Sequence, residues 1–169
     1  MNKKLSLGFH LINTFPNNFS FISVNQEGTN ALQTHYNKLD NIYEDSLANQ
    51  DTIFLITDAS IKNNVTTSMS HVFQGHNIIN RSIYHIMNIN SVEIELFSIR
   101  YRINQAMKQQ DALKIIVVTN AIPIAKCIFD SSIHPHQLHS IAILKSLRDF
   151  FKKNPNNLNS FWNCPESIK

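Results

Sequence analysis

The stretch TIFLITDAS at residues 52–60 decides the fold that this sequence predicts. Its apolar centre is bounded by threonines, which is typical of a short strand buried on both faces of a sheet. Asp58 closes the run. An acid at the end of such a strand is expected at the rim of the sheet, where binding and catalytic sites commonly lie. The same design recurs at KIIVVTN, residues 114–120, where the rim residue is Asn120. The difference between these two rim residues bears directly on function.

Composition limits the class of protein. A chain of 169 residues with 43% hydrophobic and 16% charged residues is expected to form one globular domain and not to be disordered. The formal net charge of +3 and the pI of about 8.9 are compatible with a polyanionic partner but do not require one.

The cysteines and the hydropathy of the chain indicate its compartment. Cys127 and Cys164 form no metal-binding or redox pattern, which favours buried or incidental thiols in a reducing environment. No apolar run reaches the roughly 18 residues that a membrane span needs. We therefore predict an intracellular protein, cytoplasmic or nuclear, without a membrane partner.

The first part of the chain gives little periodic signal. Residues 1–50 contain turn chemistry but no sustained apolar period, so they are predicted to be a linker or a loosely ordered lead-in. They could equally be the tail of a larger upstream domain. The compact domain is predicted to span residues 51–169.

Within that domain the pattern predicts an α/β fold. Three strands joined by tight turns, at residues 52–58, 65–73 and 78–89, indicate an antiparallel meander. The remaining predicted elements are a helix at 90–109, a strand at 114–119, helices at 121–129 and 137–153, and a last short strand at 158–162. This order predicts a mixed five-stranded sheet, three antiparallel strands and then two parallel ones, with helices on both faces.

Two acids lie early in the first long helix, and helical geometry separates them. At about 100° per residue, Glu95 falls at the edge of the apolar stripe formed by Val92, Leu96 and Ile99. Glu93 lies further towards solvent and three residues after Asn90, where it could close a capping box. Glu95 is therefore predicted to point at the sheet beside Asp58.

Carboxylates at a sheet rim are ligands for hard divalent cations. Magnesium takes oxygen ligands and keeps coordination positions for water and substrate phosphates, and two such ions can act on a phosphodiester together. Two acids also meet often by chance. A plain turn acid at Asp58 and a surface salt-bridge residue at Glu95 remain alternative interpretations on this evidence alone.

The order and spacing of several short motifs add a family resemblance. They are ITDAS at 56–60, SVEIELFSIR at 91–100, IIVVTN at 115–120, IFDSS at 128–132 with HP at 134–135, and FWNCP at 161–165. Together these motifs resemble a type 1 ribonuclease H domain, most closely those at the C-terminal end of non-LTR retrotransposon reverse transcriptases. The resemblance covers roughly residues 51–165.

The resemblance implies a site and a reaction. The family hydrolyses the RNA strand of RNA–DNA hybrids with two magnesium or manganese ions held by four acids. These acids correspond to Asp58, Glu95, Asn120 and, less securely, Asn163. Only the first two are carboxylates here, so Asp58 and Glu95 are the expected metal ligands, and the metal is expected to be weakly bound or lost.

Two substitutions of Asn for acid lead to the expected function. Asn keeps the size of Asp but not its charge, and before a helix Asn is as good an N-cap, so the fold is expected to survive where the metal site does not. We expect a degenerate, C-terminally shortened domain from a retrotransposon polyprotein, with weak or absent endonuclease activity. Its expected partners are RNA–DNA hybrid or other nucleic acid and an upstream reverse transcriptase domain. The alternative is a non-catalytic nucleic-acid-binding or structural interaction module on the same fold.

Other polar and aromatic groups allow both functional and structural interpretations. The histidines at 134, 136 and 139 could bind metal, but a surface helix start is favoured. A basic set could contact phosphates or simply be solvated; it comprises Lys126, Lys145, Arg148, Lys152 and Lys153. Phe161 and Trp162 could stack on a base, although a core strand position is favoured.

Overall fold

The computed structural model describes residues 3–22, 29–129 and 137–163. The helices are α1 (Lys3–Thr14), α2 (Thr29–Ala48), α3 (Ser91–Ala106), α4 (Ile122–Cys127) and α5 (Gln137–Lys153). The strands are β1 (Phe19–Ile22), β2 (Thr52–Lys62), β3 (Val65–Gln74), β4 (Asn77–Met87), β5 (Lys114–Thr119) and β6 (Leu158–Asn163).

The described strands form one mixed sheet in the order β1-β6-β5-β2-β3-β4. Pairing is antiparallel from β2 to β3 to β4 and parallel from β2 to β5 to β6, as predicted. The predicted count of five strands is wrong by one, because β1 adds a parallel edge strand to β6. This strand has only four residues and lies among turn residues, so its period is too short to recognise in the sequence.

The predicted lead-in contributes secondary structure on both faces of the sheet. The α1 helix packs against α5, and its Leu11 is fully buried. The α2 helix covers the opposite face, where Leu39 packs in a cluster with Phe54 and Trp162. A linker or loosely ordered segment at residues 1–50 does not account for these elements. Apolar spacing in α2 is diluted by many polar residues, which hides its buried side from a sequence-based reading.

Apolar packing on both faces of β5 and β2 holds the layers together. Ile53, Leu55 and Val117 face the cluster formed with α1, α3, α4 and α5, while Ile116 and Val118 face α2. Helices on both faces of the sheet are thus confirmed. In the apolar stripe predicted for α3, Leu96 and Ile99 are buried and Val92 is half-buried.

One detail of β2 differs from the prediction and positions the site. The strand does not end at Asp58 but continues to Lys62, because β3 pairs with it along its whole length. On the other side, the last pair between β2 and β5 is Thr57↔Thr119. Asp58 is therefore the first residue of β2 beyond the end of β5, at the rim that the parallel strands create.

Burial distinguishes the two interpretations of the aromatic pair near the C-terminal end of the sheet. Phe161 and Trp162 are both buried, which confirms core strand positions. His134 and His136 lie outside the described residues, and within residues 3–22, 29–129 and 137–163 no group of three or more His, Cys, Asp or Glu could hold a metal ion. None of the described helices has the length and hydropathy of a membrane span.

Candidate functional site

The ends of β2 and β5 bring Asp58 and Asn120 into direct contact. Because Thr57 and Thr119 are partners in the parallel ladder, the residues that follow them are neighbours at the rim. Asn120 Nδ2 donates a hydrogen bond of 2.7 Å to Asp58 Oδ1. The Asp58 side chain is exposed to solvent. The rim thus presents one carboxylate to solvent and an amide bound to it.

Asn120 does not cap the following helix, contrary to the prediction. The N-cap of α4 is Ala121, which has no side-chain capping bond, and Thr119 Oγ1 accepts from Ala121 N at 3.0 Å. Asn120 lies one residue too early for the cap, so its amide is available to Asp58. Asn at this position therefore interacts with the acid and not with the helix.

The start of α3 places Glu95 behind this pair. Asn90 is the N-cap, and its Oδ1 accepts from Glu93 N at 2.8 Å, in line with the predicted start of the helix. Glu95 lies in the second turn of α3, is only 1% exposed and faces the sheet. The geometry that separates Glu93 from Glu95 in the sequence therefore holds in the fold.

Two threonine hydroxyls hold the Glu95 carboxylate. Thr57 Oγ1 donates to Glu95 Oε1 at 2.9 Å, and Thr119 Oγ1 donates to the same oxygen at 2.7 Å. These threonines were not singled out from the sequence. The signal was present, since each immediately precedes a rim residue. Strand alternation places the side chain before Asp58 or Asn120 on the opposite face, towards α3.

Burial governs the protonation of Glu95. Removal from water raises the pKa of the Glu95 carboxyl above its usual value. The hydrogen bonds from Thr119 and Thr57 act in the opposite direction and lower this pKa, while the nearby negative charge of Asp58 raises it. The net direction is upward. A cation beside Asp58 and Glu95 would reverse the direction by favouring the ionised form.

The donor set fits one hard cation. Glu95 Oε2 is buried and has no hydrogen-bond partner among the described residues, so its lone pairs are available. Asp58 supplies an exposed carboxylate close enough to raise the pKa of Glu95, and the Asn120 side chain carries one neutral carbonyl oxygen. One or two carboxylates are a usual protein contribution to a magnesium site. Four acids, as the resemblance implies for two metals, are not present at these positions.

Asn163 is placed only by its backbone. It is the last residue of β6 and pairs with Thr119 of β5, so it lies along the same edge of the sheet as Asp58 and Asn120. The structure thus joins Asp58 to Asn120 by a hydrogen bond, with Glu95 within electrostatic range of Asp58, and it puts position 163 at the same edge.

The predicted basic set lies elsewhere on the surface. Arg148 pairs with the adjacent Asp149 at 2.9 Å, which engages part of its charge. Lys145, Lys152 and Lys153 of α5 are exposed, as is Lys126 of α4. Their exposure is compatible with either phosphate contacts or a solvated surface.

Comparisons with known proteins give structural likeness without sequence likeness. No family model and no curated protein matches the chain. The N-terminal RNase H domain of Rv2228c from Mycobacterium tuberculosis is similar, with a TM-score of 0.55 and 13% identity over 68% of this chain and 88% of that one.

A second structure is LC11-RNase H1 in complex with an RNA/DNA hybrid, with a TM-score of 0.51 and 13% identity over 68% of this chain and 86% of that one. A structure of LC11-RNase H1 isolated from compost by a metagenomic approach has a TM-score of 0.50 and 15% identity over 69% and 86%. At such identities the likeness is one of fold, and it agrees with the mixed sheet and its helices. The chain has a ribonuclease H-like fold.

Proposed function

We propose that this chain is a ribonuclease H-like domain that binds RNA–DNA hybrids and cleaves their RNA strand weakly or not at all. In this proposal it derives from a retrotransposon polyprotein, follows a reverse transcriptase domain and acts inside the cell. The fold supports the choice of substrate class, since one structure of this fold is a complex with an RNA/DNA hybrid. Recognition would rest on the shape of the duplex, its phosphates and its 2′-hydroxyls.

One observation carries the proposed loss of cleavage. The hydrogen bond of 2.7 Å from Asn120 Nδ2 to Asp58 Oδ1 puts a donor amide beside the rim carboxylate. This bond satisfies one oxygen of Asp58 without a metal ion. Asp58 and Glu95 are then the two negative charges of the site. The resemblance implies twice as many carboxylates.

The remaining carboxylates would hold magnesium or manganese, less tightly than four acids do. When bound, such an ion activates water and stabilises the charge that develops on a phosphodiester. In this chain, Asp58 and Glu95 would bind and orient the ion, while Thr57 and Thr119 fix the Glu95 carboxylate through its Oε1. Asn120 adds no charge to this arrangement.

Binding and cleavage assays test the proposal separately. We expect the unaltered chain to bind a hybrid more tightly than a DNA or RNA duplex, with affinity that falls as salt rises. With magnesium, hybrid cleavage should be at least about 100-fold slower than that of a ribonuclease H with four acids, in the range that loss of one catalytic interaction causes. Any residual cleavage should disappear in Asp58→Asn.

Two outcomes would overturn the proposal. Cleavage at the rate of a four-acid enzyme would contradict the assignment of impaired activity. The absence of binding to any of the three duplexes at moderate salt would contradict the nucleic-acid role and favour a structural interaction module.

A further inference from the structure

A fully buried arginine lies on α3 away from the rim. Arg102 is 0% exposed and packs against the side of β3 and β4 that faces the helix. Its Nε donates to Ser70 Oγ at 2.7 Å, and its Nη1 donates to Asn80 Oδ1. Its Nη2 has no hydrogen-bond partner among the described residues. The guanidinium is therefore partly satisfied by neutral groups only.

A second unpartnered polar group lies on the same patch of sheet. Ser82 of β4 is the direct cross-strand partner of Ser70. It also follows Asn80 by two residues, so strand alternation puts all three side chains on the face that Arg102 covers. Ser82 Oγ is buried and likewise has no hydrogen-bond partner among the described residues. We call Ser70, Asn80, Ser82 and Arg102 the arginine cluster.

The arginine cluster carries a charge without an opposite charge. No ion pair joins Arg102 to an acid in residues 3–22, 29–129 and 137–163. Its guanidinium carbon lies 5.1 Å from the centroid of the Tyr101 ring. Arginine remains protonated in proteins, and an uncompensated buried ion costs several kcal/mol. The chemistry of the cluster thus calls for a negative partner.

We propose that a small monovalent anion of the size of chloride binds between Arg102 Nη2 and Ser82 Oγ. The guanidinium supplies a charged N–H donor, the serine supplies an O–H donor, and the amide of Asn80 offers a further N–H. Arg102 Nη2 and Ser82 Oγ are both buried, which favours a monatomic anion over phosphate or a nucleotide. This anion would offset the buried charge, and its binding is independent of the nucleic-acid role proposed above.

The first test compares thermal unfolding in chloride with unfolding in gluconate at equal ionic strength. Gluconate is too large to enter, so we expect the midpoint to rise by roughly 2–5 °C as chloride replaces it, through preferential binding to the native state. Coincident midpoints across the exchange would overturn the proposal.

A variant that supplies the negative charge within the chain sharpens the test. Ser82→Asp places a carboxylate on the same patch as Arg102, so we expect a higher midpoint in gluconate and no remaining response to chloride. Ser20→Asp, on an exposed position of β1, adds the same charge elsewhere and should keep the full chloride response. A chloride response in Ser82→Asp equal to that of the unaltered chain would contradict the assigned position.

Two further measurements keep the proposal open to refutation if Ser82→Asp does not fold. Ser82→Ala removes one donor and should reduce the chloride response while leaving the far-ultraviolet circular dichroism unchanged. Crystals grown in bromide should show an anomalous peak between Arg102 and Ser82. A full response in Ser82→Ala, or a bromide crystal without that peak, would overturn the proposal.

Discussion

Two polar clusters lie between α3 and the sheet, and they differ in the sign of their buried charge. At the rim, Glu95 is surrounded by donors, the hydroxyls of Thr57 and Thr119, and lies near the exposed Asp58. In the arginine cluster, the guanidinium of Arg102 meets acceptors instead, the oxygens of Ser70 and Asn80. One helix thus buries an acid near its start and a base seven residues later.

The two clusters differ in how their buried charges can be neutralised. Glu95 can take up a proton, and its site can also bind a cation, because the rim opens to solvent at Asp58. Arg102 does not lose its proton and is fully buried, so a bound anion is what can offset its charge. The rim is therefore suited to a proton or a cation, whereas the arginine cluster needs a negative partner.

Removing hydroxyls should have the largest effect on stability, in both clusters. Thr119→Val deletes the donor to Glu95 Oε1 and the acceptor for Ala121 N, and we expect it to lower the free energy of unfolding by about 2–3 kcal/mol. Ser70→Ala deletes the acceptor for Arg102 Nε and should cost about 1–2 kcal/mol. Urea unfolding measures both.

Conservative variants provide the controls for these two losses. Thr119→Ser keeps the hydroxyl and should remain close to the unaltered chain. Thr57→Val removes only one bond and should cost less than Thr119→Val. If Thr119→Val were as stable as Thr119→Ser, the hydroxyl would not be supporting the rim.

Changing Asn120 should have a smaller effect that depends on metal. Asn120→Asp replaces the amide that donates to the exposed Asp58 with a second carboxylate, so repulsion should lower the free energy of unfolding by up to about 1 kcal/mol in EDTA. Magnesium should restore this loss and stabilise the variant more than the unaltered chain. Thermal unfolding with and without magnesium measures the difference.

A matched variant separates the rim from general charge effects. Asn41→Asp, on the exposed surface of α2, makes the same change in charge without a nearby acid of the site. It should show no added response to magnesium. An equal magnesium response in both variants would mean that the ion acts by screening and not at the rim.

The pH dependence that Glu95 adds to stability should be the smallest effect. The pKa of Glu95 is raised in the folded state by burial, so the native protein binds this proton more tightly than the unfolded chain does. Stability from this group is present below the usual glutamate pKa of about 4.5 and is lost as pH rises through the raised value. The hydrogen bonds from Thr119 and Thr57 partly offset the shift and keep the effect small.

Glu95→Gln tests the sign of this effect. Subtracting its stability from that of the unaltered chain cancels the other titrating groups, and the difference should fall as pH rises from about 4 towards neutrality. Urea unfolding across this range supplies the measurement. A difference that rises with pH would show that the folded state prefers ionised Glu95.

Most strands and helices could be predicted from the sequence, because the apolar pattern is strong where the sheet is buried. The alternation and runs of β2, β3, β4, β5 and β6 are long enough to read, and the helical period of α3 and α5 is clear. The elements of residues 3–22 and 29–48 were missed for a physical reason. The strand among them has only four residues, α2 is diluted by polar residues, and their buried side chains find partners on distant elements, as Leu39 does with Phe54.

The site was predictable in part, from rim positions and helical geometry. They place Asp58 and Asn120 as neighbours at the rim and turn Glu95 towards the sheet, but the predicted capping role of Asn120 was wrong, since its amide bonds to a residue 62 positions away. The arginine cluster could not be predicted from the sequence, because its contacts also join residues that are distant in the chain. Arg102 reads as a surface residue beside an apolar stripe, and only the fold shows that Ser70 and Asn80 accept its hydrogen bonds.

The most direct measurement is hybrid cleavage by the variant that combines Asn120→Asp and Asn163→Asp. The account predicts that Asn120→Asp with Asn163→Asp raises the magnesium-dependent rate at least about 100-fold over the unaltered chain. Asp58→Asn added to that double variant should abolish the gain. Equal rates for the unaltered chain and the double variant, both lost on Asp58→Asn, would contradict the account, because two carboxylates would then suffice for the full reaction.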